Sequence, residues 1–252
     1  MQLKCHRGPL IAALISCASV ATGTAETRDR VTRVLPFEPG VPIRVDASIA
    51  DVTITGSNRP DVLVDVVRRA PGTADLAKYP VEIEQRPDLI HISARQVDDG
   101  RDASLRTEIA ITAPPAANFQ AIRVFEGRVR LTNLHNACDV DLRRGPVEAS
   151  ALAGRIRLES GIGSIDIKDS ELTPGGMMRL RVFNGPLRAR FPRLPANARL
   201  LAVTLRGTIT SDIPLTRKEQ FGPRFGETTL GSGDPVMSMD VVYGDISIRV
   251  DR

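Results

Sequence analysis

The chain has 252 residues, 34 of them basic and 30 acidic, for a formal net charge of +4, with no tryptophan and only two tyrosines. That length suffices for one all-β domain with a sizeable core. So small a net charge sets up no field to gather nucleic acid, and so few aromatics leave scarce platforms for stacking bases or sugars; no nucleic-acid partner is expected.

The N-terminus reads as an export signal. Lys4 and Arg7 form a basic start, residues 9–22 are apolar or small, and Gly23-Thr24-Ala25 places small residues where a signal peptidase cuts. Cleavage before Glu26 would make residues 1–25 a signal peptide. A second reading stays open: Leu14-Ile15-Ser16-Cys17 is similar to a bacterial lipobox, in which residues 1–16 are removed and Cys17 is lipidated. The apolar stretch is too short for a stable membrane span, so any membrane attachment is expected through that lipid alone. Without Lys4 and Arg7 the chain carries 32 basic and 30 acidic residues, a net charge of only +2. Cys5 and Cys17 lie in the signal, which leaves Cys138 alone and the fold without an internal disulfide.

Residues 26–41 carry Pro36, Pro39 and Gly40 and read as a lead-in; 42–252 read as the β-repeat domain. Residues 42–56 look like a divergent repeat, with Ala50 where later repeats carry glycine. Residues 61–68 predict a strand. Residues 70–80 predict a loop or one helical turn. Strands at 81–85 and 89–95 flank a turn at Arg86-Pro87-Asp88. Residues 97–104 predict a charged loop, and 106–112 another alternating strand.

From Gly127 onward one pattern recurs: a glycine, then strict alternation with apolar residues at the second and fourth places. It stands at Gly127, Gly145, Gly163, Gly185, Gly207 and Gly244, and Gly154 opens a similar run. A period near 20 residues is the mark of a stacked β-repeat, each unit a strand before the glycine and one after it. Before Gly145 the apolar places are Cys138, Val140 and Leu142; before Gly185, Met178, Leu180 and Val182; before Gly244, Met237, Met239 and Val241. Glycine at each joint allows a positive φ or a close backbone approach. The expected fold is all-β, a repeat-built single-stack β-helix or β-solenoid, with an elongated β-sandwich as the alternative.

The outward places carry arginine pairs, among them Arg128/Arg130, Arg155/Arg157, Arg179/Arg181 and Arg188/Arg190. Arg128, Arg130, Arg155, Arg157, Arg188 and Arg190 form a candidate anion-binding face. Aligned on the glycines, the third place reads Arg130, Glu148, Arg157, Asp166, Arg188, Thr210 and Ser247, an alternation of sign that predicts a cross-strand ion ladder instead. Catalytic signatures are lacking: there is no GxSxG, HExxH, CxxC or P-loop. Of the histidines only His91 and His135 lie beyond the signal, in what read as separate strands, without metal spacing. Cys138, Asp98-Asp99 and Asp139/Asp141 read as structural or solvated groups, and the GSGDP of residues 231–235 lacks the helix that a phosphate loop needs. No catalytic residue, cofactor or metal is expected.

The exported start, the G-x-I/V-x-I/L strands and the closing GSGDPVMSMDVVYGDISI together resemble the bacterial putative-adhesin β-strand-repeat family. Gly231, Gly233, Val241, Gly244, Asp245, Ile246 and Ile248 match its ending, and the likeness covers roughly residues 42–252. The resemblance implies an envelope protein with no catalytic residues to carry over. The expected function is a non-enzymatic structural or adhesion-type module of the periplasm or outer envelope, binding an envelope component or a protein. The alternatives are an accessory or sensory subunit of an envelope complex and a carbohydrate-active β-helix enzyme.

Overall fold

The computed structural model describes residues 27–70, 76–77, 79–95, 105–218 and 222–251. Over that range the chain is all-β, in two large mixed sheets of ten and eleven strands. The segment expected as a lead-in forms β1 (Thr27–Pro36), which pairs antiparallel with β4 (Asp61–Ala70). Its Val31 and Leu35 turn toward the molecule while Arg28, Arg30 and Thr32 face out, an alternation that the prolines of residues 36–39 obscured. Between them run β2 (Pro42–Ile49) and β3 (Asp51–Gly56), separated by Ala50 alone. The hairpin follows as β5 (Glu82–Arg86) and β6 (Leu89–Ala94), then β7 (Arg106–Ala113).

A regular alternation begins at β8 (Asn118–Glu126). Each long strand in one sheet, here sheet B, is followed across a glycine by a short strand in the other, sheet A. The pairs are β8 with β9 (Val129–Thr132), β10 (Cys138–Arg144) with β11 (Val147–Ser150), and β12 (Arg155–Ile162) with β13 (Ile165–Lys168). Then come β14 (Met177–Asn184) with β15 (Leu187–Phe191), and β16 (Ala198–Arg206) with β17 (Ile209–Ser211). From β9 to β15, successive strands of one sheet are parallel and in register. After β18 (Thr216–Lys218) and β19 (Arg224–Leu230), the last pair is β20 (Val236–Tyr243) and β21 (Ile246–Val250).

That last pair departs from sequence order. β20 lies between β14 and β16, and β21 between β15 and β17, so the final rung is inserted one place in from the end. The 37-residue step from Gly207 to Gly244 holds the excursion through β18 and β19; β19 pairs antiparallel with β16, β18 pairs antiparallel with β19, and together they cover that edge of sheet B.

The period-two pattern builds the core. Val140, Leu142, Ile156, Leu158, Leu180 and Val182 point inward from sheet B, and Val129, Leu131, Val147, Ile165, Leu187 and Ile246 from sheet A, each no more than 1 % exposed. Burying one such side chain contributes about 1.5–3 kcal/mol, which fixes register because a one-residue slip would expose a whole set.

The glycines mark where the chain passes between sheets. Gly145 has φ +130, and a Cβ there would stand 1.7 Å from the carbonyl oxygen of Gly127. Each turn rests on the next: Gly127 N donates to Arg144 O at 3.0 Å and Gly145 N to Ile162 O at 2.8 Å. Ala50 takes the first place in this column, donating to Glu126 O at 2.9 Å.

Candidate binding face

On the outer surface of sheet A the pleat sets alternate residues in two rows that cross the strands. The row at the third place after each glycine runs Arg130, Glu148, Asp166, Arg188, Ser247, Thr210. Arg157 is not in it. Gly154 precedes a strand of sheet B, so Arg157 sits on β12 at the opposite face, and the sign alternation expected from sequence is corrected to plus, minus, minus, plus. Glu148 and Asp166 are therefore direct neighbours. Each is drawn to an outer arginine: Arg130 Nε donates to Glu148 at 2.8 Å, Arg128 lies 3.3 Å from the same carboxylate, and Arg188 reaches Asp166 at 3.2 Å. The Glu148 contact raises the affinity of the Arg130 guanidinium for its proton.

The row at the fifth place runs Thr55, Thr132, Ser150, Lys168, Arg190, Arg249. It opens with hydroxyls, Ser150 donating to Thr132 at 3.3 Å, and ends in three consecutive cations. Arg190 is held by Asp251 at 2.5 Å and Arg249 by Asp212 at 2.8 Å. Lys168 has no ion pair among the described residues. The two rows line a concavity of about 560 Å³. Lys168 and Arg249 were missed from sequence because only the third place after the glycines was aligned; the fifth place displays the same row directly.

The candidate anion-binding face is thus divided. Arg130, Arg188 and Arg190 belong to sheet A, with Arg128 just ahead of β9, and Arg155 and Arg157 belong to the outer face of sheet B. On sheet B, Arg157 donates to Glu159 at 2.9 Å and lies 3.5 Å from Asp139. Burial pushes the Asp139 carboxyl above its ordinary value; Arg157 and Arg123 oppose this, and the charges of Glu159 and Asp141 add to it. Farther along the same face, burial also acts to raise Asp46, but hydrogen bonds from His91 at 2.9 Å and Arg95 at 2.8 Å outweigh it and hold that carboxyl low.

The remaining candidates fall into place singly. Cys138 is 1 % exposed, and burial, with Asp139 beside it, pushes its thiol up to about 12, so it is an inert packing group. His135, expected in a strand, lies in the loop between β9 and β10, and His91 lies in β6. The GSGDP segment is the turn from β19 to β20: Ser232 N donates to Asn197 Oδ1 at 2.9 Å, and Asp234 accepts from Gly175 N at 3.0 Å. Among the described residues no three His, Cys, Asp or Glu side chains gather as metal ligands. Cys17 and Asp98-Asp99 lie outside the described residues.

The chain matches no family model and no curated protein by sequence. Solved structures align with it over most of its length. A putative cell adhesion protein from Clostridium sporogenes aligns with a TM-score of 0.49 at 10% identity, covering 88% of this chain and 100% of its own. A putative adhesin from Bacteroides fragilis aligns with a TM-score of 0.43 at 13% identity, over 88% and 97%. A putative lipid binding protein from Parabacteroides distasonis aligns with a TM-score of 0.31 at 11% identity, over 89% and 97%.

Proposed function

We propose that this is a non-enzymatic module of the bacterial envelope, a two-sheet β-solenoid of structural or adhesion type that binds an envelope component through the outer face of sheet A. The observation that carries the reading is the groove of about 560 Å³ crossing five parallel strands on that face. A stack in which each turn is hydrogen-bonded to the next holds such a surface in fixed shape, which reduces the ordering cost of binding. Glu148 and Asp166 are adjacent, as a glycosidase pair would be, but each is only half-buried and is paired to its own arginine. A general acid instead needs a carboxyl kept protonated by burial, so the enzyme reading ranks lower.

The export pattern at residues 1–25 supports placing the module in the periplasm or outer envelope, with a native N-terminus at Glu26 or at an acylated Cys17; intact mass of protein from the native envelope checks this, and an unprocessed Met1 there would count against it. The function is tested by sedimenting the purified protein with envelope fragments and assaying the supernatant for released reducing sugar. Co-sedimentation without release is the expected result; failure to co-sediment, or sugar release, would overturn the reading.

A second reading, an accessory subunit that docks on a protein, is favoured by a different surface. At one corner of sheet B, Ile162, Phe183, Leu205 and Tyr243 are exposed; Phe183 and Tyr243 meet edge to face at 5.8 Å, and Arg206 lies 5.6 Å from the Tyr243 ring. A patch of this kind marks contact surfaces.

A further inference from the structure

The fifth-place row contains a cost that the fold alone does not require. Lys168, Arg190 and Arg249 stand directly opposite one another on β13, β15 and β21. Neighbouring strands lie about 4.8 Å apart, so three cations fall within about 10 Å. Like charges directly opposite destabilise a sheet. Asp251 and Asp212 relieve Arg190 and Arg249 from the flank, while Lys168 faces the groove with no ion pair among the described residues. Beside this row lie the adjacent carboxylates of Glu148 and Asp166, and the row itself continues into the hydroxyls of Ser150 and Thr132.

We propose that the groove binds an acidic glycan lying along the stack, across the strands, and this rests on the binding-module reading above. Uronate-type carboxylates meet Lys168, Arg190 and Arg249, at a repeat near the strand separation. Sugar hydroxyls donate to Glu148 and Asp166 and exchange hydrogen bonds with Ser150. The two carboxylates decide the ligand class. A polymer with only anionic groups, such as a polyphosphate, offers those carboxylates no donor, whereas a chain that alternates carboxylates with hydroxyl donors satisfies both rows. Nucleic acid is disfavoured on the same ground and because no aromatic ring lines the groove to stack a base. With no stacking platform each sugar is held weakly, so affinity comes from many sugars bound at once and rises steeply with chain length.

The test titrates the full chain with polygalacturonate, galacturonate monomer, neutral dextran and polyphosphate. Polygalacturonate binds at low ionic strength, the monomer and dextran do not, and binding weakens as salt screens the row. Lys168→Glu lowers the polygalacturonate affinity about tenfold, yet leaves the melting temperature unchanged or higher, because it places opposite charges at Lys168 and Arg190. Arg157→Glu, an equal change of charge on the opposite face, leaves binding unaltered. Wild-type binding by Lys168→Glu, equal losses in the two variants, or tighter binding of polyphosphate than of polygalacturonate would each overturn the proposal. Co-sedimentation with envelope fragments but no affinity for polygalacturonate overturns the ligand class and leaves the binding-module reading standing; failure of both removes both.

Discussion

The Asp139 carboxyl shows how neighbouring side chains set the behaviour of one residue. Its folded proton affinity is raised, chiefly by burial, so the native state holds that proton more tightly than the unfolded chain does. Its contribution to stability is then greatest below the ordinary carboxylate value and is lost as pH rises through the raised one. Asp139→Asn removes a half-buried charge, so at pH 7 the variant is expected to melt at or above the wild-type temperature, with the advantage shrinking toward pH 4. The effect is small because the side chain is 42% exposed. A variant clearly less stable at pH 7 would mean that the contact with Arg157 outweighs burial. Asp46 has the opposite sign: His91 and Arg95 hold it low, so its contribution is present above the ordinary value and lost on acidification. The core residues need no titration argument. Ile165 is 0% exposed, and Ile165→Asp leaves an unpaired charge in an apolar interior, a loss of several kcal/mol in a denaturant titration. Ser247→Asp, outward and opposite Arg188, is expected to stay within about 0.5 kcal/mol. Ser164 is a poorer outward control, since its hydroxyl is 3.3 Å from Asp166 and a new carboxylate there would meet a like charge.

At the scale of the element, the strand–glycine–strand unit was legible in the sequence because it is a local device. Alternation of period two declares which side chains are buried, and Cys138, Val140 and Leu142 are all buried as that pattern requires. The joint glycines declare a positive φ, a close backbone approach, or both. The two reasons for glycine can be separated. Gly145 needs both a φ of +130 and the close approach to Gly127; Gly207 has a Cβ position 1.9 Å from Gly244 O but no positive φ in the left-handed range. Gly175, at φ +70, faces open space. Gly175→Ala is expected to cost about 1–2 kcal/mol for the backbone alone. Gly145→Ala and Gly207→Ala are expected to cost clearly more, because a carbonyl and its whole rung must shift. Equal losses at all three positions would mean that conformation, rather than contact, selects glycine. β1 was missed for the same local reason inverted: three irregular positions at Pro36, Pro39 and Gly40 outweighed the alternation before them. Arg157 was misplaced because Gly154 opens a run indistinguishable in sequence from those at the joints, although it begins a strand of sheet B. Nothing within one repeat says which sheet it joins.

What the sequence could not display is the order of the rungs, and this is a property of the whole molecule. In a stack built in sequence order, removing the last repeat frays only the end. Here β20 and β21 are the inner partners of β16 and β17: among the described residues β17 pairs with β21 alone, and β16 is held between β20 and β19. Truncation after Gly233 therefore removes the rung on which residues 198–211 rest. Those residues would keep the antiparallel contact with β19 but lose the parallel ladder from Arg199 to Arg206, the hydrogen bond of Gly244 N to Arg206 O, and the burial that Met237, Met239, Ile246 and Ile248 provide. Native-state hydrogen exchange should report this directly, since amides open in cooperative units that follow packing rather than sequence. In the truncated chain, amides of β16 and β17 are expected to lose protection as fully as any in the chain, although they lie more than 20 residues upstream of the cut. Amides of β10 to β13, three and four rungs inward of β16 and β17, should retain most of theirs. Protection confined to loss near the new C-terminus would contradict the inserted rung. Loss spread evenly to β8 would mean instead that the stack melts as one unit, its ends contributing to a single cooperative transition.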